Sequence, residues 1–339
     1  MQRNYWPTTE WQSVDPATLR MDSDKLTELD PMIKSEYSNI NGIVVVRNGY
    51  IAYERYFNGY GADDMHHVAS VTKSIISALI GIAIDTGYIK NVDQKVLDFF
   101  TEYTSDDDRQ KREITIRHLL TMTAPYPFED WHEPLDKLCK QPDWIKYTLD
   151  MLGQNGSVGT FKYSTAGAHL LSTIITRSTG KSAREFANER LFKPIGMKEI
   201  LDCEMKSFGF EDLFGENVKG WVKDPSGNST GGWGLTLTPR DMARFGYLYL
   251  NHGIWSNNQI IPETWIDETT MMNNNHYGYL WWLREEDGVF AYLALGDGGN
   301  TICCIPEKDL VISIASEFIL NPRDRWALIK DFIIPAVID

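Results

Sequence analysis

Residues 67–89 read HVASVTKSIISALIGIAIDTGYI. From about 70 to 87 the pattern is helical. Ile75, Ile76, Leu79, Ile80, Ile82, Ala83 and Ile84 leave almost no polar face, so the helix is expected at the centre of the molecule. Gly87 supplies its stop. Ser70 and Lys73 stand three apart at its start, which sets both side chains on one face and within contact range. A lysine in that position can take the serine proton once burial and neighbours favour its neutral form. The helix N-terminus favours an oxyanion developing beside it. The Ser-x-x-Lys pattern is short enough to recur by chance. Ser178-Thr179-Gly180-Lys181 repeats it where a helix is expected to end, whereas Ser70 opens one.

On the N-terminal side, GIVVVRNGYIAYERYF (42–57) sets two β-rich runs around Asn48-Gly49, a strong hairpin signal. On the C-terminal side, residues 90–200 look mainly helical, with loops near 101–113, 123–134 and 153–160. Helix patterns fall at 114–122, 143–152, 168–180 and 183–196. A further helix is expected at 238–253, capped by Thr238 with Pro239 in its first turn. β-type runs return at 277–284, 289–295, 301–306 and 310–316, and the chain closes on a helical stretch at 322–337. With strands at both ends and helices between, the economical architecture is α+β. One antiparallel sheet is assembled from both termini and flanked by helices, with a mainly helical lobe inserted. The expected division is residues 1–65 with 200–339 as the sheet lobe and 66–199 as the helical lobe, with a site in the cleft between them.

The chain of 339 residues is long enough to bury a sizeable core, and its 42% hydrophobic and 24% charged composition is that of a globular protein. The net charge of -14 argues against nucleic acid or an anionic membrane surface as partner. The longest apolar run, IISALIGIAI (75–84), is far short of the ~18 residues that span a bilayer. Cys139, Cys203, Cys303 and Cys304 show no metal spacing and read as buried free thiols. No secretory signal is visible in MQRNYWPTTEWQS, so a cytoplasmic location is expected.

Five segments, in order, resemble the serine β-lactamase and penicillin-binding-protein superfamily. They are 67–89, ITIRHLLTMTA (114–124), FKYSTAGAHLLSTIITRSTGKS (161–182), GGWGLTLTPRDMARFGYLYLNHG (231–253), and YGYLWWL followed by GDGGNTICCIPEKDLVISI (296–314). Class C β-lactamase-like proteins, family VIII-type esterases and 6-aminohexanoate-dimer hydrolases are the most similar branches. The resemblance implies a β-lactamase/transpeptidase-like fold with Ser70 as nucleophile, and Lys73 and Tyr163 as proton-transfer groups. It gives Ser70 and Asn300 as backbone oxyanion donors, and implies no metal or organic cofactor. Thr165 stands where the family usually has Asn and offers one hydroxyl in place of an amide's paired donor and acceptor. Asp297-Gly298-Gly299 aligns with the family's Lys-Thr-Gly, so an acid replaces the lysine that holds a substrate carboxylate. At ~4 Å and an effective dielectric of ~20, a like-charge contact costs about 4 kcal/mol. Neutral or cationic esters or amides are therefore the expected small-molecule substrates. A β-lactamase or D,D-peptidase, or a non-catalytic binder on the same fold, are the alternatives.

Trp131, Trp233, Trp281 and Trp282 are candidate cleft aromatics. Trp233, in a glycine-rich loop, is the one expected to touch substrate. His66 and His67 lack a carboxylate at ligand spacing and read as connection or cleft-lining residues. Asp106-Asp107-Asp108 reads as a solvated loop. No G-x-S-x-G elbow occurs, which argues against an α/β-hydrolase.

Overall fold

The computed structural model describes residues 3, 5–104, 109–127, 134–207, 212 and 218–338. Trp131 and Asp106–Asp108 lie outside the described residues.

Alternation of large β-branched residues builds a hairpin from β1 (Ile40–Arg47) and β2 (Tyr50–Tyr56). Asn48 and Gly49 both adopt positive φ (53° and 87°), as the tight turn between twisted strands requires. α1 (Val71–Asp85) follows, its residues buried from Val71 through Ala83. α2 (Thr165–Thr179) starts three residues before the apolar periodicity does, because Ser164 caps it by accepting from the Gly167 amide at 3.1 Å. α3 (Pro239–Leu250) carries the expected Thr238 cap and first-turn proline.

Four strands close the sheet: β3 (Trp282–Glu286), β4 (Val289–Gly296), β5 (Asn300–Ile305) and β6 (Leu310–Ser316). The six strands run in the order β2-β1-β6-β5-β4-β3, with every pairing antiparallel. β1 and β6 join the two ends of the chain, from Ile40 opposite Ser316 to Arg47 opposite Leu310. The 277–284 run is strand only from Trp282. Leu280 takes a positive φ of 59°, and its carbonyl accepts from Ser74 Oγ of α1 at 2.7 Å, which pulls Tyr277–Trp281 off the sheet.

Strand periodicity divides the core. Ile43, Val45, Cys303, Ile305, Ile312 and Ile314 face the terminal helices, against Leu29, Ile33, Trp326 and Ile329. Val44, Val46, Ile302, Cys304 and Val311 face α1 and α3. Adjacent Cys303 and Cys304 therefore point to opposite faces, and both are buried; all four cysteines are free thiols, but Cys139 and Cys203 are only partly buried, against the expectation. α4 (Arg325–Leu328) continues as a π turn (Ile329–Ile333) and a 3₁₀ turn (Ile334–Ala336), where the sequence suggested one long helix. The same succession ends the helix at Ala183–Ala187. Both 3₁₀ turns contain a proline, Pro335 and Pro194, which has no N–H for the i−4 carbonyl. Among the described residues, no helix is long and apolar enough to cross a membrane.

Candidate active site

Ser70 is the N-cap of α1, and its side chain makes no capping bond. The hydroxyl faces Lys73 instead, accepting from Nζ at 2.8 Å. Ala69, just before it, holds a left-handed φ of 47°, a conformation that costs a non-glycine residue of order 1 kcal/mol. Two bonds fix this entry. The Val68 amide donates to Leu235 O at 3.0 Å, and Thr72 Oγ1 donates to Ala69 O at 2.7 Å.

Lys73 is 1% exposed, and its amine is surrounded by oxygen. Besides Ser70 Oγ it donates to Thr165 Oγ1 at 3.0 Å and to Gly232 O at 2.9 Å. The threonine that replaces the family's asparagine thus still reaches the lysine. The Tyr163 ring covers the amine, its centroid 4.8 Å from Nζ. Tyr163 in turn stacks on Trp282 at 5.8 Å and 19°.

The segment delivering Gly232 is fastened along α2. Buried His169 Nε2 meets Asp224 Oδ2 at 3.0 Å, and Ser172 Oγ donates to Ser229 O at 2.6 Å. Gly232 lies so close that a Cβ on it would stand 2.4 Å from Thr165 Cγ2. With the Gly232 carbonyl turned to Lys73, the next side chain points away. Trp233 is 3% exposed, packed with Leu138 and Trp144 and stacked on Trp144 at 5.7 Å. This corrects its expected contact with substrate. Trp281 is likewise core, 4.5 Å from Tyr249 between ring centroids. Among the described tryptophans, Trp282 borders the cavity.

That cavity, about 520 Å³, is bordered by Ser70, Tyr163, Trp282, Leu295 and Gly296 at the β4 end, Asp297 just after it, Gly299–Thr301, and Pro322–Arg325. The end of β4 departs from the expected alignment. The glycine against the nucleophile is Gly296, where a Cβ would stand 2.2 Å from Val68 O and 3.2 Å from Ser70 N. Gly298 is buried behind the turn, its carbonyl accepting from Asn39 Nδ2 at 2.7 Å and Arg325 Nη2 at 3.0 Å. Gly299, at φ 90°, leaves room for the Arg325 guanidinium, which a Cβ would meet at 2.5 Å. Asn300 acts visibly through its side chain. Nδ2 donates to Asp297 O at 2.8 Å and His67 O at 3.3 Å, and Oδ1 accepts from the Ser316 amide at 3.0 Å. The sequence offers three glycines within four positions here, Gly296, Gly298 and Gly299, and nothing local separates the first from the others.

His67 ties the strand before Ser70 to the loop after Gly232: its Nε2 accepts from the Gly234 amide at 3.0 Å. Burial lowers its pKa to about 3, and burial lowers that of His66 to about 4 despite Asp64 nearby, so both rings are neutral at pH 7.

A six-stranded antiparallel sheet flanked by helices, with a Ser-x-x-Lys pair opening the central helix, defines the β-lactamase/transpeptidase-like class. The chain belongs to the Beta-lactamase family, whose profile matches residues 36–318. It is 22% identical to the 6-aminohexanoate-dimer hydrolase of Paenarthrobacter ureafaciens over 346 residues, covering 90% of this chain and 81% of that one. It is 25% identical over 305 residues to an uncharacterized protein of Alkalihalophilus pseudofirmus, covering 79% and 81% of the two chains. Its fold matches a penicillin binding protein from Bacillus halodurans with a TM-score of 0.67 at 18% identity, over 89% of this chain and 99% of that one.

Proposed function

We propose that the protein is a serine hydrolase that cleaves a small-molecule ester or amide through an acyl-enzyme on Ser70. The observation that carries this reading is the 2.8 Å contact between Ser70 Oγ and Lys73 Nζ at the edge of an open cavity. As an ammonium, Nζ has three donors, which Ser70 Oγ, Thr165 Oγ1 and the Gly232 carbonyl accept. As a neutral amine it keeps two N–H bonds, to Thr165 and Gly232, and its lone pair meets the serine hydroxyl hydrogen. Ser70 Oγ then bonds to the substrate carbonyl carbon while its proton passes to Lys73, and the carbonyl electrons move onto oxygen. Collapse of the tetrahedral intermediate breaks the bond to the leaving group, which departs with the proton. Water attacks the acyl-enzyme in the same way and releases a carboxylic acid and free Ser70. Tyr163, over the lysine, is the proposed partner in both proton transfers.

The Ser70 N–H is one proposed oxyanion donor. The second belongs with Asp297 rather than Asn300, because Asp297 follows the glycine that touches the Ser70 backbone. Free Cys139, Cys203, Cys303 and Cys304 support a reducing, cytoplasmic setting.

The test is hydrolysis of p-nitrophenyl butyrate by the native protein and by Ser70→Ala, with fluorophosphonate labelling of both. The expected result is turnover and labelling in the native protein, with kcat/KM lower by at least ~10³-fold in the variant. Equal rates in the two proteins would remove Ser70 as nucleophile.

A further inference from the structure

The charged groups bordering the cavity are already engaged. Arg323 pairs with Glu36 at 2.6 Å and lies over the Tyr37 ring. Asp324 holds Arg284 at 3.3 Å. Arg325, 3% exposed, spends its Nη2 on Asn39 Oδ1, Gly298 O and Ser316 Oγ, and its Nη1 on Arg323 O. Its Nε is buried under Gly299, out of reach of a ligand. A substrate carboxylate entering here would have to break one of these pairings and would also meet Asp297.

Apolar surface borders the same cavity. Leu295 is 37% exposed, a high value for a leucine on a sheet strand. It is open because β3 pairs with β4 only from Val289 to Leu293 and stops short of the β4 end. Trp282, opposite Leu293 on the neighbouring strand, and Tyr163, stacked on Trp282, border the same cavity, and Pro322 forms part of its rim. The segment leading to Pro322 carries Ile319 and Leu320, 41% and 81% exposed. Uncovered apolar surface beside a nucleophile marks the part of the substrate that is taken out of water.

We infer that this wall is an acyl subsite for an uncharged apolar chain, seated between Leu295 and the Tyr163–Trp282 pair, with its far end leaving over the Ile319–Pro322 rim. The inference rests on the proposed hydrolase reading and names its substrate class: medium-chain acyl esters or amides. Each methylene buried raises kcat/KM roughly two- to fourfold.

The experiment compares kcat/KM for p-nitrophenyl acetate, butyrate, hexanoate and octanoate, together with mono-p-nitrophenyl succinate. The enzymes are the native protein, Trp282→Ala and Leu295→Asp. Leu295 is exposed, so its variant keeps the fold even if Trp282→Ala does not. The expected native profile rises by about tenfold or more from acetate to octanoate, the gain from burying about three of the six added methylenes, with succinate below butyrate. The octanoate-to-acetate ratio is expected to collapse toward one in Leu295→Asp. A flat native profile, an unchanged ratio in Leu295→Asp, or preference for succinate overturns the inference while leaving the hydrolase reading in place. No hydrolysis of any ester and no fluorophosphonate labelling overturns both.

Discussion

At Gly296 a single methyl group separates a formed site from a displaced one. Its Cβ would collide with the Val68 carbonyl at 2.2 Å, and this is backbone, which cannot swing aside. Either β4 retreats from Ser70 or the Val68–Ser70 entry shifts, and an oxyanion site tolerates neither. Gly296→Ala is expected to lower kcat/KM by about 100-fold while circular dichroism stays native. Near-native turnover would show that this contact does not set the oxyanion geometry. Ser70 and Lys73 were legible in the sequence because helix geometry fixes a spacing of three. Gly296 was not, because a hairpin turn does not fix which of Gly296, Gly298 and Gly299 meets the neighbouring helix. The tryptophans teach the same lesson. Trp281 and Trp282 are neighbours on opposite sides, and their phase depends on a strand start that Leu280 delays.

The elements around Ser70 are joined by a contact that titrates. His67 must be neutral at Nε2 to accept the Gly234 amide, and Gly234 ends the loop whose Gly232 carbonyl holds Lys73. The folded chain keeps His67 and His66 neutral down to about 3 and about 4, whereas in the unfolded chain they protonate near the ordinary value of about 6.5. Between those limits the unfolded state binds more protons. Stability is therefore full above about pH 6.5 and falls as the pH drops below it, by up to about 1.4 kcal/mol per pH unit for each histidine. Urea midpoints at pH 5 are expected to lie below those at pH 7, with a smaller gap in His67→Gln. An equal gap would assign the acid loss elsewhere. The hairpin, α1, α3 and the β-runs of this region were readable from turn residues, caps and periodicity. The π and 3₁₀ endings were not, because Pro194 and Pro335 act on carbonyls a turn earlier and leave the apolar pattern unchanged.

For the whole molecule, one buried cluster joins three distant parts of the chain. Asn39, before β1, donates to Gly298 O and Glu317 O and accepts from Arg325 of α4. Asn39→Ala removes both donations and leaves Arg325 short of an acceptor. The expected loss is about 2–4 kcal/mol in urea unfolding, together with reduced turnover as the Asp297–Gly299 turn loosens. A loss under about 0.5 kcal/mol would make the cluster incidental. The sheet built from both termini was legible because its strands form two separated β-rich blocks. The clamp was not, since nothing local marks Asn39 or Arg325 as partners. The β1–β6 pairing also has a consequence for synthesis on the ribosome. Ser70 is made long before Gly296, roughly 10 to 45 s earlier at ~5–20 residues per second. For that interval β1, apolar on both faces, has β2 as its only sheet neighbour, while β6 has yet to emerge. The nascent chain therefore carries a half-finished sheet through most of translation and gains its nucleophile's surroundings only near release.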